Sequence, residues 1–328
     1  MFFYCKECGK QYPADGIDYK CECGGLFELG RESVQIEKPL VSIGGTVTPM
    51  FERTIGGVTM QLKLDYYMPT GSFKDRGAYV LINKLKEFGV EEVVEDSSGN
   101  AGAAIAGYCA AAGIKCSIYV PESTSEGKIK QVKAYGAELV KVPGSRDDTS
   151  LAIQAAAQKT YYASHVYNPL FFEGTKSIVP EIAAQCGIPD YIVVPAGNGT
   201  MLLGVYLGFK ELGTLPRIIA VQSAHCTPVY AKFKGIPALP PSPTAAEGIA
   251  VGTPMRIEEM VEAVRESGGD FITVEDEEVL FAKDELAKMG IYCEPTSGVA
   301  VAAAKKYFGN DAHGAKIVVP LTGSGLKK

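Results

Sequence analysis

VEEVVEDSSGNAGAAIAGYCAAAGIKCSIYVP, Val90 to Pro121, decides the fold class of this chain. Val90–Asp96 holds a short apolar run bounded by acids, the signature of a buried strand. Ser97–Gly102 is a loop of small residues. Ala101–Gly113 is alanine-rich and long enough for a helix, and Lys115–Pro121 returns to strand. The alternation continues outward. Helix is expected in Ser125–Gly136, Asp148–Tyr162, Gly197–Gly213, Glu278–Gly290 and Thr296–Phe308. Strand is expected in Glu138–Pro143, Tyr191–Gly197, Arg217–Ser223 and the start of Lys316–Gly325. Short apolar strands alternating with amphipathic helices predict an α/β protein of doubly wound, parallel sheets. Such sheets take their ligands at the carboxyl ends of the strands.

The 328 residues are enough for two domains. A net charge of −6, with no basic cluster, speaks against a nucleic-acid partner. The opening MFFYCKECGK has no basic and apolar leader, and no apolar run reaches membrane length, so the expectation is a cytoplasmic protein without a membrane partner. PALPPSPT, Pro237–Thr244, reads as a surface loop.

Nine cysteines fall into two groups. Cys109, Cys116, Cys186, Cys226 and Cys293 are scattered through apolar sequence and read as small buried hydrophobes. Cys5, Cys8, Cys21 and Cys23 form two Cys-Gly knuckles in YCKECGKQY and YKCECGG, a zinc-ribbon-like segment over residues 1–30. Two readings stay open for it: a structural zinc held by four thiolates, or a ribbon that folds without metal, since the second knuckle is a tight Cys-x-Cys. Neither leaves a coordination position open for catalysis.

Three loops sit where a strand hands over to a helix: Ser97–Gly102, Gly197–Thr200 and Thr322–Gly325. Small residues there expose backbone N–H groups to an anion, and the helix dipole adds attraction. One such loop alone is more often only a tight turn. Here they accompany Lys74, a lysine set in the turn PTGSFKDRGA between the strand-like QLKLDYY and the helical GAYVLINKLKEFG. A nucleophilic amine, two anion cradles and a hydroxyl are the parts needed to hold pyridoxal phosphate and use it.

PTGSFKDRGA, SSGNAG, PAGNGT and PLTGSGLK resemble the fold-type-II, tryptophan-synthase-β-like pyridoxal-phosphate enzymes. The DRG after the lysine, the cysteine knuckles, AEGIAVGTPMR and the closing LTGSGLK resemble threonine synthases and their close relatives more narrowly, over Tyr4 to Lys327. The resemblance implies two doubly wound domains with the cofactor between them: a large one from 31–83 and 165–328, and a small mobile one from 84–164. It implies that Lys74 forms the Schiff base and that Asn100 bonds the cofactor's phenolic oxygen. Ser97, Ser98 and Ala101, with Asn100, would hold the substrate carboxylate. Gly197, Asn198, Gly199, Thr200 and Met201 would hold the phosphate, and Thr322 would face the pyridine nitrogen. A neutral hydroxyl there makes the ring a weaker electron sink, which suits elimination better than transamination. Family members are commonly homodimers.

The activity this implies is γ-elimination of phosphate from O-phosphohomoserine followed by β-addition of water, giving threonine. The alternative is a related eliminase or β-replacement enzyme, such as a serine/threonine dehydratase or an O-phosphoserine-using synthase. That alternative stays open because threonine synthases carry an arginine in NPxRxEG, where this chain reads NPLFFEG with Phe171 and Phe172. Either Lys176, Arg146 or Lys128 replaces the arginine, or the substrate lacks a phosphate; for the phenylalanines themselves the plain reading is core packing. Asp75 with Arg76 reads as a local ion pair, Glu294 in EPTSG as the start of a capped helix, and His165, His225 and His313 as structural histidines. A nicotinamide-dependent oxidoreductase is disfavoured, because no G-x-G-x-x-G follows the first strand and Lys74 would have no role.

Overall fold

The computed structural model describes residues 1–30, 34, 36, 38–45, 47–309 and 314–327. Its strands are β1 (Phe2–Cys5), β2 (Gln11–Pro13), β3 (Phe27–Leu29), β4 (Met50–Ile55), β5 (Val58–Lys63), β6 (Glu92–Glu95), β7 (Lys115–Pro121), β8 (Glu138–Val142), β9 (Tyr161–Tyr162), β10 (Tyr191–Pro195), β11 (Arg217–Ser223), β12 (Asp270–Val274) and β13 (Ile317–Pro320). The chain divides into two compact units. The first comprises Met1–Gly45 and Lys74–Gly174, the second Thr46–Phe73 and Thr175–Leu326. The division expected from sequence, at 83/84 and 164/165, is thus moved: residues 74–83 and 165–174 belong with the unit expected to be small. The cysteine segment is not separate either. Phe3, Tyr12, Cys21 and Phe27 share one buried core with Leu81, Ile105 and Phe171.

The first unit holds a four-stranded sheet in the order β8-β7-β6-β9, parallel throughout. Helix Asn100–Ala112 buries Ala101 through Cys109, which its run of small side chains permits, and it ends at Gly113 with that residue's N–H on the carbonyls of Cys109 and Ala110. The helix expected over Asp148–Tyr162 is found as Arg146–Ala156, and Tyr161–Tyr162 instead form β9 beside Val93 and Val94. Tertiary contacts override the helical period there. Tyr161 donates to the Ala14 carbonyl at 3.1 Å and Tyr162 to the Asp96 carboxylate at 2.6 Å. The ribbon β2-β1-β3 is antiparallel.

The second unit holds six strands in the order β12-β11-β10-β13-β5-β4, parallel except for the hairpin of β4 and β5. Strands β10 and β13 are buried almost end to end, as the inner strands of a sheet covered on both faces must be. The strand expected through QLKLDYY stops at Lys63, and Asp65–Tyr67 form a single 3-10 turn. The buried Asp65 carboxylate accepts from the Thr48 hydroxyl at 2.8 Å, which takes that residue out of the strand pattern. Because β10 and β13 are neighbours, the loops Gly197–Thr200 and Thr322–Gly325 leave adjacent carboxyl ends. Pro237–Pro243 is exposed, as expected of PALPPSPT.

Candidate active site

In the second unit, the last motif holds the turn that leads to Lys74. Ser72 and Gly323 form an antiparallel bridge. The Phe73 N–H donates to the Thr322 carbonyl at 2.9 Å, and the Ser324 N–H to the Gly71 carbonyl at 2.9 Å. Lys74 then opens helix Lys74–Glu87 of the first unit and is half-buried. One turn on, Gly77 lies so close to Phe171 that an added Cβ would sit 2.2 Å from the ring. A Cβ on Gly174 would sit 2.0 Å from the Arg76 carbonyl. The first turn of the lysine helix is therefore wedged against Asn168–Gly174. Asp75 and Arg76 are buried in that turn.

The loop after β6 lies in the same unit. Ser97, Ser98 and Asn100 are half-buried and Ala101 is buried. The Gly99 N–H donates to the Ser97 hydroxyl at 3.3 Å. Beneath the loop, Arg146 donates to the Asp96 carboxylate at 2.5 Å and also to its carbonyl. In the second unit, Gly199 turns the chain with φ of +86°, a conformation that favours glycine, and Thr200 starts helix Thr200–Glu211. Met201 is buried in its first turn.

Both loop-led helices are entered through a glycine, Gly99 and Gly199, which has no side chain to cap the first turn. A helix start without a side-chain acceptor presents its backbone donors and dipole to an external anion.

Thr322 is 1% exposed. Its hydroxyl donates to the Glu294 carboxylate at 3.4 Å and lies 3.4 Å from the Ser297 hydroxyl. Glu294 does precede helix Pro295–Phe308, yet its side chain caps nothing and turns to Thr322 instead. The Ser72 hydroxyl, two residues before Lys74, is buried without a hydrogen-bond partner. Within the second unit, the buried Ser72 orphan, the glycine-entered start of helix Thr200–Glu211 and the buried hydroxyl of Thr322 fit a group that carries a phosphate and a ring nitrogen; within the first, the start of helix Asn100–Ala112 suits a carboxylate.

Sequence reasoning passed over one pair. Glu95, the last residue of β6, is fully buried, and its carboxylate lies 2.8 Å from Nδ1 of His165. Burial first, then the neighbouring Asp96 carboxylate, holds the Glu95 carboxyl well above the usual range. Burial, followed by the positive charge of Lys74, holds His165 well below its ordinary value. Two acids closing an apolar strand run, VVED, were the available signal. His225 is partly exposed against Ser242, and His313 lies outside the described residues.

The phenylalanines at the arginine position are core: Phe171 is 0% and Phe172 5% exposed. Lys176 pairs with Glu211, Arg146 is held by Asp96, and Lys128 is exposed on helix Glu126–Ala134. Four scattered cysteines are buried as expected, while Cys186 is only half-buried.

The ribbon gathers Cys5, Cys8, Cys21 and Cys23 with all sulfurs within 4.8 Å of one another. Sγ–Sγ distances are 3.5 Å for Cys5–Cys23, 3.5 Å for Cys8–Cys21 and 3.7 Å for Cys8–Cys23. These are far from a disulfide bond length and close to the edge, about 3.8 Å, of a tetrahedron with Zn–S bonds of about 2.3 Å.

A family model described as pyridoxal-phosphate dependent enzyme matches residues 41–323. The chain belongs to this family. A threonine synthase of Methanocaldococcus jannaschii is 34% identical, over 100% of this chain and 93% of that protein. A threonine synthase of Synechocystis is 35% identical, over 94% of this chain and 84% of that protein. Among solved structures, maize serine racemase superposes with a TM-score of 0.76 at 25% identity, covering 85% of this chain and 88% of that one. Pyridoxal phosphate is thus the cofactor, an amino acid is the class of substrate, and no described helix is long and apolar enough to cross a membrane.

Proposed function

We propose that the chain is a threonine synthase, a carbon–oxygen lyase that converts O-phosphohomoserine and water to threonine and phosphate. The match to threonine synthases along the full chain carries this reading. When bound, pyridoxal phosphate supplies an aldehyde for covalent attachment and a ring that withdraws electrons from substrate carbons. The chain's own residues have the remaining tasks. Lys74, at the start of its helix, supplies the attaching amine and then moves protons at Nζ. The uncapped starts at Gly99 and Gly199 bind anions: Ser97, Ser98, Asn100 and Ala101 the substrate carboxylate, and Gly197, Asn198, Gly199, Thr200 and Met201 the cofactor phosphate. Asn100 also bonds the phenolic oxygen. Thr322 would meet the ring nitrogen as a neutral partner by redirecting to it the hydroxyl proton that here goes to Glu294.

Borohydride treatment should fix the cofactor on Lys74. Release of phosphate from O-phosphohomoserine, with threonine as product, tests the substrate. A colourless protein, or no phosphate release, would overturn the respective half of the reading. Phe171 and Phe172, both buried where a phosphate-binding arginine is expected, favour one second reading: a related eliminase acting on an unphosphorylated amino acid. Ammonia and 2-oxobutanoate formed from threonine would identify it.

For the ribbon we propose one structural zinc on Cys5, Cys8, Cys21 and Cys23, on the strength of the tetrahedral sulfur spacing. Metal analysis of the holoenzyme should find about one zinc per chain, lost in Cys8→Ser. Four freely titrating thiols and no metal in the wild type would refute it. A homodimer in a cytoplasmic setting completes the proposal, checked by sedimentation.

A further inference from the structure

We infer that Tyr162 and Arg146 are positioning residues: they fix Asp96, and Asp96 sets the loop Ser97–Gly102 in the shape that receives the substrate carboxylate. The inference rests on the reading of that loop as the carboxylate cradle and adds what shapes it. All the residues involved lie in the first unit.

Three observations carry it. The first is connectivity. Asp96 stands between Glu95, the last residue of β6, and Ser97, the first of the loop, and its side chain is 9% exposed. Whatever holds Asp96 decides where the loop starts. The second is convergence on this one residue. Tyr162 donates its hydroxyl to Oδ1 at 2.6 Å. Arg146 donates from one guanidinium nitrogen to Oδ2 at 2.5 Å and from another to the Asp96 carbonyl. Side chain and backbone are thus gripped by one planar fork. Burial, then the charge of Asp96, holds the Tyr162 phenol well above its ordinary range, so it stays a donor.

The third is that both donors are themselves held. Arg146 opens its helix behind the Ser145–Asp148 capping box. Tyr162 pairs with Val94 of β6 through the sheet. Its ring meets Tyr19 edge-on at 5.5 Å and Tyr167 at 5.8 Å between centroids. Tyr19 belongs to the ribbon segment between the two cysteine knuckles, so that segment helps to aim the hydroxyl. At its far end the loop closes on Gly102, where an added Cβ would sit 1.8 Å from the Ser97 carbonyl oxygen. The loop therefore runs between two stops. A cradle of backbone donors binds an anion well only when those donors already point the right way. Arg146 also offsets the charge of Asp96, which would otherwise repel a carboxylate arriving next to it.

Tyr162→Phe removes a single oxygen and leaves the ring in place. In the holoenzyme it should raise KM about tenfold, for whichever of O-phosphohomoserine or threonine the wild type turns over. Its kcat should stay within about twofold, the mark of lost binding common to ground and transition states. Arg146→Gln should raise KM further, since it also bares the Asp96 charge. Hydrogen exchange read by mass spectrometry does not depend on turnover. With or without bound cofactor, the peptide across Ser97–Gly102 should exchange about tenfold faster in both variants, while the loop Gly197–Thr200 keeps its rate. An unchanged rate across Ser97–Gly102 overturns the inference alone. Faster exchange with KM unmoved takes the carboxylate away from this loop, and so overturns the cradle reading and the inference together. Should Arg146→Gln not fold, Tyr162→Phe decides the matter by the same two measurements.

Discussion

Two buried titratable clusters, one in each unit, differ in a way that separates scaffold from chemistry. In the second unit the ammonium of Lys63, with 0% of its side chain exposed, pairs with Glu181 at 2.5 Å. It also donates to the Thr48 carbonyl at 2.7 Å and to Gln185 at 2.8 Å. Gln185 returns a bond to the same Thr48 carbonyl at 2.9 Å, and the Thr48 N–H reaches Glu181 at 3.1 Å. Every charge has its complement, and the cluster ties β5 to the chain before β4 and to helix Ile178–Cys186. In the first unit Glu95 meets His165 with one oxygen and leaves the other bare. A closed shell fixes a charge in place. An open one leaves a proton free to move, and that is the arrangement found in the unit that carries Lys74.

The largest effect should come from opening the closed cluster. Lys63→Ala strands the Glu181 carboxylate and should cost about 3–5 kcal/mol of stability. Chemical denaturation measures it, while kcat of the folded fraction should hold. A loss of activity without loss of stability would erase the contrast between the clusters. The next effect lies at the wedge beside the open pair. Gly77→Ala puts a methyl into the Phe171 ring and should destabilise by about 1–3 kcal/mol. Because the wedge sets the turn that Lys74 opens, kcat should fall with it. Unaltered kcat in a destabilised Gly77→Ala protein would mean that the wedge only packs.

The alternation of strand and helix was readable because parallel strands buried on both faces are written as apolar runs: Ile192–Pro195 and Ile317–Pro320 are buried at every position. The loops were readable because glycine and serine at a strand-to-helix junction have few other uses. What failed to show was whatever depends on distant partners. Tyr161 and Tyr162 belong to a helical pattern until Ala14 and Asp96 claim their hydroxyls. The unit boundary at Lys74 follows from Gly77 and Gly174 packing onto one another's segments, contacts nearly a hundred residues apart in sequence. EPTSG opens a helix with Pro295 as its position marks it, yet the Glu294 side chain meets Thr322, 28 residues later, and not the helix's first turn. His165 had no motif around it, since its partner lies 70 residues earlier on another strand.

The finest test of the comparison is the pH dependence of stability. The unfolded carboxyl of Glu95 titrates near 4.5 and the folded one well above that, so its contribution is full below 4.5 and is lost as pH rises through the folded value. The unfolded His165 titrates near 6.5 and the folded one well below, so its contribution is present above 6.5 and is lost as pH falls toward the folded value. As pH rises above 4.5 folding keeps a proton on Glu95 that the unfolded chain loses, and as it falls below 6.5 folding lacks one on His165 that the unfolded chain gains. The two slopes oppose and should offset one another where they overlap. Glu95→Gln removes one slope, so stability should then rise with pH across the window by up to about 1.4 kcal/mol per unit, relative to wild type. His165→Gln should make it fall instead. Denaturation midpoints at a series of pH values in one ionic strength measure both. Mirror-image tilts in the two variants fit two groups whose protons are each set by burial; parallel or absent tilts would make Glu95 and His165 as inert as Lys63 and Glu181.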